Sequence, residues 1–269
     1  RRNMVDEVFV HLSSQTNLPI NKIIKELEVM GVTVDLNINV FEMEIPVQRE
    51  IERIGNYYTV SFSPKIHSFK QIFFKRVMDI VGAIVGLLIT GIVTVFLAPA
   101  LLIESPGPLF FSQVRVGKNG RRFKIYKFRS MYMDAEERKK ELMSQNEMEG
   151  LMFKMENDPR VTKVGKFIRK TSIDELPQFW NILKGEMSLV GTRPPTEDEF
   201  LQYEGYHRRR LNMTPGLTGL WQVSGRSDTK NFEEIVAMDV EYIDNWSLKE
   251  DIKILFKTVG VVLKGKGAS

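Results

Sequence analysis

The chain alternates between short amphipathic stretches and one long unbroken apolar run. Near the start, Glu7 to Leu12 (EVFVHL) suits a strand. Pro19 to Met30 places Ile20, Ile23, Ile24 and Leu27 at helical spacing, with Gly31 able to end the helix. Val32 to Val40 alternates as a strand should. Together these predict part of a β-α-β unit, without its opening half, within a small α/β piece over residues 1–70. It holds no glycine-rich phosphate loop, so its function is not readable.

From Val77 to Ile103 the pattern changes: Asp79 is the only charge in 27 residues. A membrane helix needs ~20 apolar residues, so residues 71–104 are expected to enter a bilayer. Lys70, Lys75 and Arg76 precede the run and a dense basic block follows it. Positive charge marks the cytoplasmic side of short flanks, so a single crossing would leave one group on the wrong side. The expectation is a re-entrant helix-break-helix, with Gly91 and Pro99 as candidate break points. Gly82 and Gly86 form a small-xxx-small pair that suits helix packing but is also common membrane-helix background.

Ser105-Pro106-Gly107-Pro108 ends the segment, and residues 105–269 read as one soluble domain. Short strands are predicted at Leu109 to Gln113 and Phe123 to Phe128. Glu136 to Glu149 reads as an exposed helix or loop, and Leu151 to Met155 is too short to classify. A helix is predicted from about Ile173 through Leu183, stopping near Gly185. Ser172 and Glu175 would form its capping box. Phe232 to Trp246 and Leu248 to Leu263 carry helical apolar spacing, either for core packing or for the headgroup region. The expected class is a helix-rich mixed α/β membrane-associated catalytic domain with a partial N-terminal α/β domain.

Composition narrows the chemistry. There are no cysteines, which excludes disulfides and thiolate metal sites, and His11, His67 and His207 are scattered. Net charge is only +4, yet Arg115 to Arg129 carries seven cations and no acid. That block is either a solvated face or a site for phosphate, nucleic acid or acidic lipid. The interleaved Phe123, Tyr126, Phe128, Lys124 and Lys127 could stack bases, but the membrane segment just upstream argues against nucleic acid. The chain starts Arg1-Arg2, without Met or a signal-peptide pattern, so a fragment of a longer polypeptide is expected.

Asp174 and Glu175 are adjacent within RKTSIDELPQFWNILKGEMSLVGTRPP. At a helix start such a pair is most often structural. It can also supply a carboxylate nucleophile toward phosphorus, or hold Mg²⁺ against a diphosphate. Nearby cations suit phosphate, because an arginine fork binds two oxygens at once. Arg169 lies five residues before Asp174, Arg193 follows the Gly191 turn before Pro194 and Pro195, and Arg226 sits in Ser-Gly-Arg.

These motifs together resemble the monotopic bacterial phosphoglycosyl transferases, also called bacterial sugar transferases. The likeness runs from about Lys75 to Leu263, roughly seventy per cent of the chain. It is carried by KRVMDIVGA, SPGPLFFSQVRVGKNGRRFKIYKFRSM, DELPQFWNILKGEMSLVGTRPP, TPGLTGLWQVSGR and DVEYIDNWSLKEDIKIL, in family order. The GTRPP form followed by Thr196-Glu197-Asp198-Glu199 looks most like Gram-positive enzymes that initiate capsular or exopolysaccharide synthesis.

The resemblance implies transfer of a hexose-1-phosphate (glucose or galactose) from a UDP-hexose to undecaprenyl phosphate, releasing UMP, at the cytoplasmic face of the bacterial inner membrane. It implies Asp174 as the nucleophile of a covalent sugar-phosphate intermediate, Glu175 as its partner and Mg²⁺ at this pair. Lys127, Arg169, Arg193 and Arg226 fall on active-site positions that chiefly bind phosphate, and Asp251 on a further functional acidic position. Gly91-Ile92 stands where the family commonly breaks its membrane helix at Ser-Pro, and Gly-Thr-Arg-Pro where it often has Gly-Pro-Arg-Pro. The first 70 residues would belong to the soluble nucleotide-binding-like domain of larger members, truncated here, and a homodimer is plausible. The competing class is a non-catalytic membrane scaffold that binds acidic lipid or a synthesis partner through the basic block.

Overall fold

The computed structural model describes residues 5–11, 19–37, 48–55, 57–63, 68–135, 137–138, 155, 158–224 and 231–263. The expected exposed segment at Glu136 to Glu149 and the short run at Leu151 to Met155 lie almost wholly outside these residues, and so does Arg226.

In the N-terminal piece, strand β1 (Glu7–Val10) leads through helix α1 (Ile20–Val29) to strand β2 (Thr33–Asn37), parallel to β1. Ile24, Val34 and Leu36 are buried there, so the alternation and helical spacing bury the faces they predict. An antiparallel pair, β3 (Gln48–Ile54) and β4 (Tyr57–Ser63), completes a sheet of order β1-β2-β4-β3. The pairing of β4 with β2 is antiparallel. Asp6 meets the basic turn beyond, accepting hydrogen bonds from Asn119 and Arg121.

Helix α2 (Phe69–Glu104) is a single helix of 36 residues, about 54 Å at the usual rise of an α-helix. It is long and apolar enough to cross a membrane, and most of its surface is exposed. It runs through both Gly91 and Pro99, so the expected separation into two helices is not seen. One proline removes a single backbone bond, and the Thr90 and Thr94 hydroxyls donate to the Gly86 and Thr90 carbonyls four residues back. These features weaken the helix without ending it.

Several of the elements that follow pack on the buried stripe of α2, which includes Ala83, Gly86, Leu97 and Leu101. An antiparallel hairpin follows, β5 (Phe110–Val116) and β6 (Arg122–Phe128), pairing Phe110 with Phe128 and Val116 with Arg122. Helix α3 (Lys163–Lys170), a 3₁₀ turn (Ile173–Glu175) and helix α4 (Gln178–Lys184) come next. Strands β7 (Ser188–Val190) and β8 (Gly216–Thr218) form a parallel pair. Helix α5 (Glu197–Leu201) and a 3₁₀ stretch (Tyr206–Leu211) lie between them in sequence. Helices α6 (Leu220–Ser224), α7 (Phe232–Asp244) and α8 (Leu248–Leu263) close the fold.

The main core gathers Ala83 from α2, Ile125 from β6, Ile182 from α4, Val190 from β7, and Tyr242, Trp246 and Ile254 from the last two helices and the link between them. Gly82 and Gly86 let this core approach α2. A Cβ at Gly82 would lie 2.6 Å from Leu189, and one at Gly86 only 2.3 Å from the Phe179 ring. The small-xxx-small pair is therefore a packing face within the chain. Asn181, fully buried, ties α4 to the hairpin: it donates to the Lys124 carbonyl and accepts from the Tyr126 N–H.

Candidate active site

Both ends of α2 are bolted to this domain by polar bonds. At one end the buried Lys75 ammonium donates to the Val190 carbonyl at 2.8 Å and to Asp251 at 2.6 Å. Arg76 donates to the carbonyls of Ile182 and Leu183, the C-terminal turn of α4. Asp79 accepts from the Ser188 hydroxyl and the Leu189 N–H. At the other end the Glu104 carboxylate accepts the Lys163 and Val164 N–H groups that open α3. Arg129 donates to the Ser105 and Pro106 carbonyls just beyond it.

Those clamps fix the elements that carry the cations. Thr162 caps α3 by accepting the Gly165 N–H. A Cβ at Gly165 would sit 2.0 Å from the Ser130 carbonyl oxygen, so only glycine lets α3 lie this close to the end of β6. From there the Arg169 guanidinium donates to the Ser130 hydroxyl at 2.8 Å. Burial pulls Arg169 below its ordinary value, and the carboxylates of Asp174 and Asp158 act against that pull. Beside it, Asp158 accepts from the Arg160 guanidinium on both oxygens.

After α3 the chain turns through Ser172, whose φ of 56° is left-handed, into the 3₁₀ turn that holds Asp174 and Glu175. The expected capping box does not form: the Ser172 side chain makes no cap bond, and α4 begins only at Gln178 behind Pro177. The pair is thus placed by a turn between two helices rather than by a helix start. Tertiary contact overrides the local signal. Lys127, reaching over from β6, puts its ammonium 2.8 Å from Glu175 and 3.9 Å from Asp174. Side-chain cations, rather than a helix end, supply the positive field at the pair.

Arg193 arrives on the loop after β7. Pro194 and Pro195 follow it, and their carbonyls accept from Arg115 and from the Val116 N–H. Glu199 lies 3.5 Å from the Arg193 guanidinium and completes a capping box at α5 with Thr196. Burial alone would raise the Glu199 carboxyl. Arg193, the Thr196 N–H, Arg115 and Arg210 outweigh it and hold the group below its usual range.

A cleft of about 520 Å³ joins these parts. Six cationic side chains border it (Arg115, Lys127, Arg129, Arg160, Arg169 and Arg193) against three carboxylates, Asp174, Glu175 and Glu199. The excess of positive charge matches a diphosphate or phosphate monoester. Of the residues singled out from sequence, Asp174, Glu175, Lys127, Arg169 and Arg193 meet here. Asp251 does not: it is fully buried away from the cleft, accepting from Lys75, Tyr242 and Trp246. Its place is a docking node between α2 and α8.

Sequence reasoning overlooked Arg129, Arg160 and Glu199 as cleft residues, and took Arg115 only as part of the basic block. The first and last of these cations lie in that block, whose pairing across β5 and β6 delivers them. Arg160 follows Asp158 and Pro159, and the acid two residues back grips its guanidinium. No group of three or more histidine, cysteine or acidic side chains is placed to hold a metal among the described residues. Mg²⁺ needs no such cage. It commonly takes one or two carboxylates, with water and substrate phosphate completing its shell, and Asp174 with Glu175 fits that pattern.

The site thus joins a helix long and apolar enough to cross a membrane to a cleft with surplus positive charge and a pair of carboxylates, a charge balance that suits phosphate groups. The sequence profile described as bacterial sugar transferase matches residues 70–265. The chain belongs to that family. It is 51% identical over 266 residues to the galactosyl transferase CpsE of Streptococcus agalactiae serotype III, covering 98% of this chain and 59% of that protein. It is 46% identical over 200 residues to the undecaprenyl-phosphate galactose phosphotransferase of Salmonella typhimurium, covering 73% and 42%. Against the UDP-glucose:undecaprenyl-phosphate glucose-1-phosphate transferase of Klebsiella pneumoniae the identity is 34% over 267 residues, covering 96% and 55%. The chain therefore spans about half the length of the curated relatives it matches.

Proposed function

We propose that this protein is a phosphoglycosyl transferase that moves a hexose-1-phosphate from a UDP-hexose to undecaprenyl phosphate. The reaction would be the first membrane step of a capsular or exopolysaccharide. Galactose stands ahead of glucose, because two of the three relatives described above are named for galactose. The observation that carries the reading is the Asp174–Glu175 pair, held beside the Lys127 ammonium in a cleft with surplus positive charge.

In the first step an Asp174 oxygen attacks the sugar-bearing phosphorus of the UDP-hexose. A P–O bond forms as the bond to the UMP phosphate breaks, and UMP leaves with that electron pair. In the second step a phosphate oxygen of undecaprenyl phosphate attacks the same phosphorus, the bond to Asp174 breaks, and the carboxylate is restored. Phosphoryl transfer of this kind depends on positioning and on neutralising charge. Arg169, held by Ser130, and Arg193, held by Glu199 and the prolines, supply planar donors for the non-bridging oxygens. Lys127 keeps Glu175 in place and balances charge beside Asp174. Asp174 and Glu175 would hold Mg²⁺, which when bound offsets diphosphate charge. Arg226 would add a further phosphate contact.

Helix α2 would lie at a shallow angle in the cytoplasmic leaflet, with both ends on the cytoplasmic face. Leu97 and Leu101 pack against Phe128 and Ile168, and Glu104 caps α3. A perpendicular crossing would drag those partners through a hydrocarbon layer ~30 Å thick. A UMP-release assay with UDP-galactose, UDP-glucose and UDP-N-acetylgalactosamine tests the reaction. Release that requires undecaprenyl phosphate for turnover and is fastest with UDP-galactose is expected. No release with any donor would overturn the reading in favour of a scaffold.

A further inference from the structure

Ser172 and Glu175 border a second cavity as well as the cationic cleft. It holds about 300 Å³, and its character is opposite. Leu176, Phe179, Leu189, Leu217, Val223 and Leu255 form much of its wall, with Val259 and Val262 of α8 along the rim. Phe179 and Leu189 are the side chains seated on Gly86 and Gly82 of α2. The apolar groove is thus built directly against the membrane helix. Its rim also continues onto the exposed apolar surface of α8, where Phe256, Val259 and Val262 face outward.

Resting on the proposed acceptor, we infer that this groove receives the first isoprene units of the polyprenyl phosphate. The acceptor has two parts of opposed chemistry, a phosphate that must reach the phosphorus on Asp174 and a hydrocarbon tail that must not cross a charged cleft. The two cavities sort those parts, and the wall they share contains Glu175. A volume of about 300 Å³ lies at the lower end for ligand pockets. It accommodates the start of the tail and leaves the remainder among the lipids beside α2. The groove is walled by side chains that pack on α2 and shares Glu175 with the cationic cleft, so an acceptor with an apolar tail and a phosphate head is the occupant that fits.

A polyprenyl phosphate carrying a diazirine on its first isoprene unit tests this with the whole protein in phospholipid nanodiscs. Labelled peptides from 217–223 and 248–263 are expected, with labelling suppressed by excess undecaprenyl phosphate and not by phosphatidylglycerol. Labelling confined to the outward face of α2, or equally suppressed by both lipids, overturns the assignment. Val259→Trp supplies a second arm, because it fills the rim. The ratio of transfer to sugar-phosphate adduct formation should fall about tenfold, as for crowding an apolar pocket. An unchanged ratio overturns the assignment too. If the wild-type protein forms no adduct from UDP-hexose, the proposed reaction fails by itself, and the photolabelling result still decides the groove.

Discussion

Lys75 and Asp251 lie 176 residues apart in sequence, yet their charges meet at 2.6 Å with both side chains buried. Tyr242 and Trp246 add donors to the same carboxylate, and Lys75 also holds the Val190 carbonyl two residues before Thr192. Burial pushes the Tyr242 hydroxyl far up, and Asp251 next to it pushes the same way, so this phenol stays a donor throughout any working range. The node joins α2, the last helix and the strand leading to Arg193.

Removing one member of a buried pair leaves the other charge uncompensated, at a cost of about 3–5 kcal/mol. Asp251→Ala should therefore lower the melting temperature sharply in detergent. Lys75→Met combined with Asp251→Leu should recover most of that loss, and a thermal-shift series over wild type and the two variants reads the difference. Equal destabilisation by the single and double variants would contradict the pair as a docking node.

Lys127 acts on chemistry rather than on folding. Its side chain is partly exposed and spans both carboxylates. Lys127→Ala should slow adduct formation about 10²–10³-fold, the scale seen when one preorganised donor is lost from a site. Melting should change little. Lys127→Arg should recover part of the rate, measured by rapid quench with labelled UDP-galactose.

Glu199 gives a pH signature. Its folded-state carboxyl lies below the ordinary value of 4.5 because cations and the Thr196 N–H prevail over burial. A depressed carboxyl contributes stability that is fully present above its unfolded value and lost as pH falls through the folded one. Wild-type melting should thus decline below about pH 4.5, and Glu199→Gln should flatten that acid limb. The same substitution loosens Arg193, so KM for the UDP-hexose should rise at neutral pH.

Glycines in α2 should divide by position. Gly86→Ala forces a Cβ to within 2.3 Å of the Phe179 ring, and overpacking of this kind costs about 1–3 kcal/mol. Gly91 has nothing within 4 Å of a built Cβ, so Gly91→Ala should leave stability unchanged or raise it by up to about 1 kcal/mol. Chemical denaturation in one detergent compares them directly.

How far the sequence could be read follows from the range of each interaction. The apolar run of α2, strands β5 and β6 and the two last helices were legible because period and length are local properties. The hairpin of β3 and β4 was passed over: Arg49, Glu50, Glu52 and Arg53 obscure any alternation there. Ser172 and Glu175 matched a capping pattern, yet Lys127, 48 residues upstream, claims Glu175. Asp251 read as a functional acid, and only the fold reveals that Lys75 occupies it. Five of the predicted site residues do converge, since their motifs are turns and strand ends that the core fixes in place. Arg129 and Arg160 gave no local sign of facing the same cleft, because that depends on how α3 docks on α2.

The central claim is that Asp174 becomes covalently joined to the donor's sugar-bearing phosphorus. Intact-protein mass spectrometry after incubation with UDP-galactose alone, quenched in acid, tests it most directly. The wild-type chain should gain the mass of one hexose phosphate, lose it again on adding undecaprenyl phosphate, and carry it on the peptide containing Asp174. Asp174→Asn should show no gain. A gain that persists in Asp174→Asn, or wild-type turnover with no adduct at any time, would contradict the account.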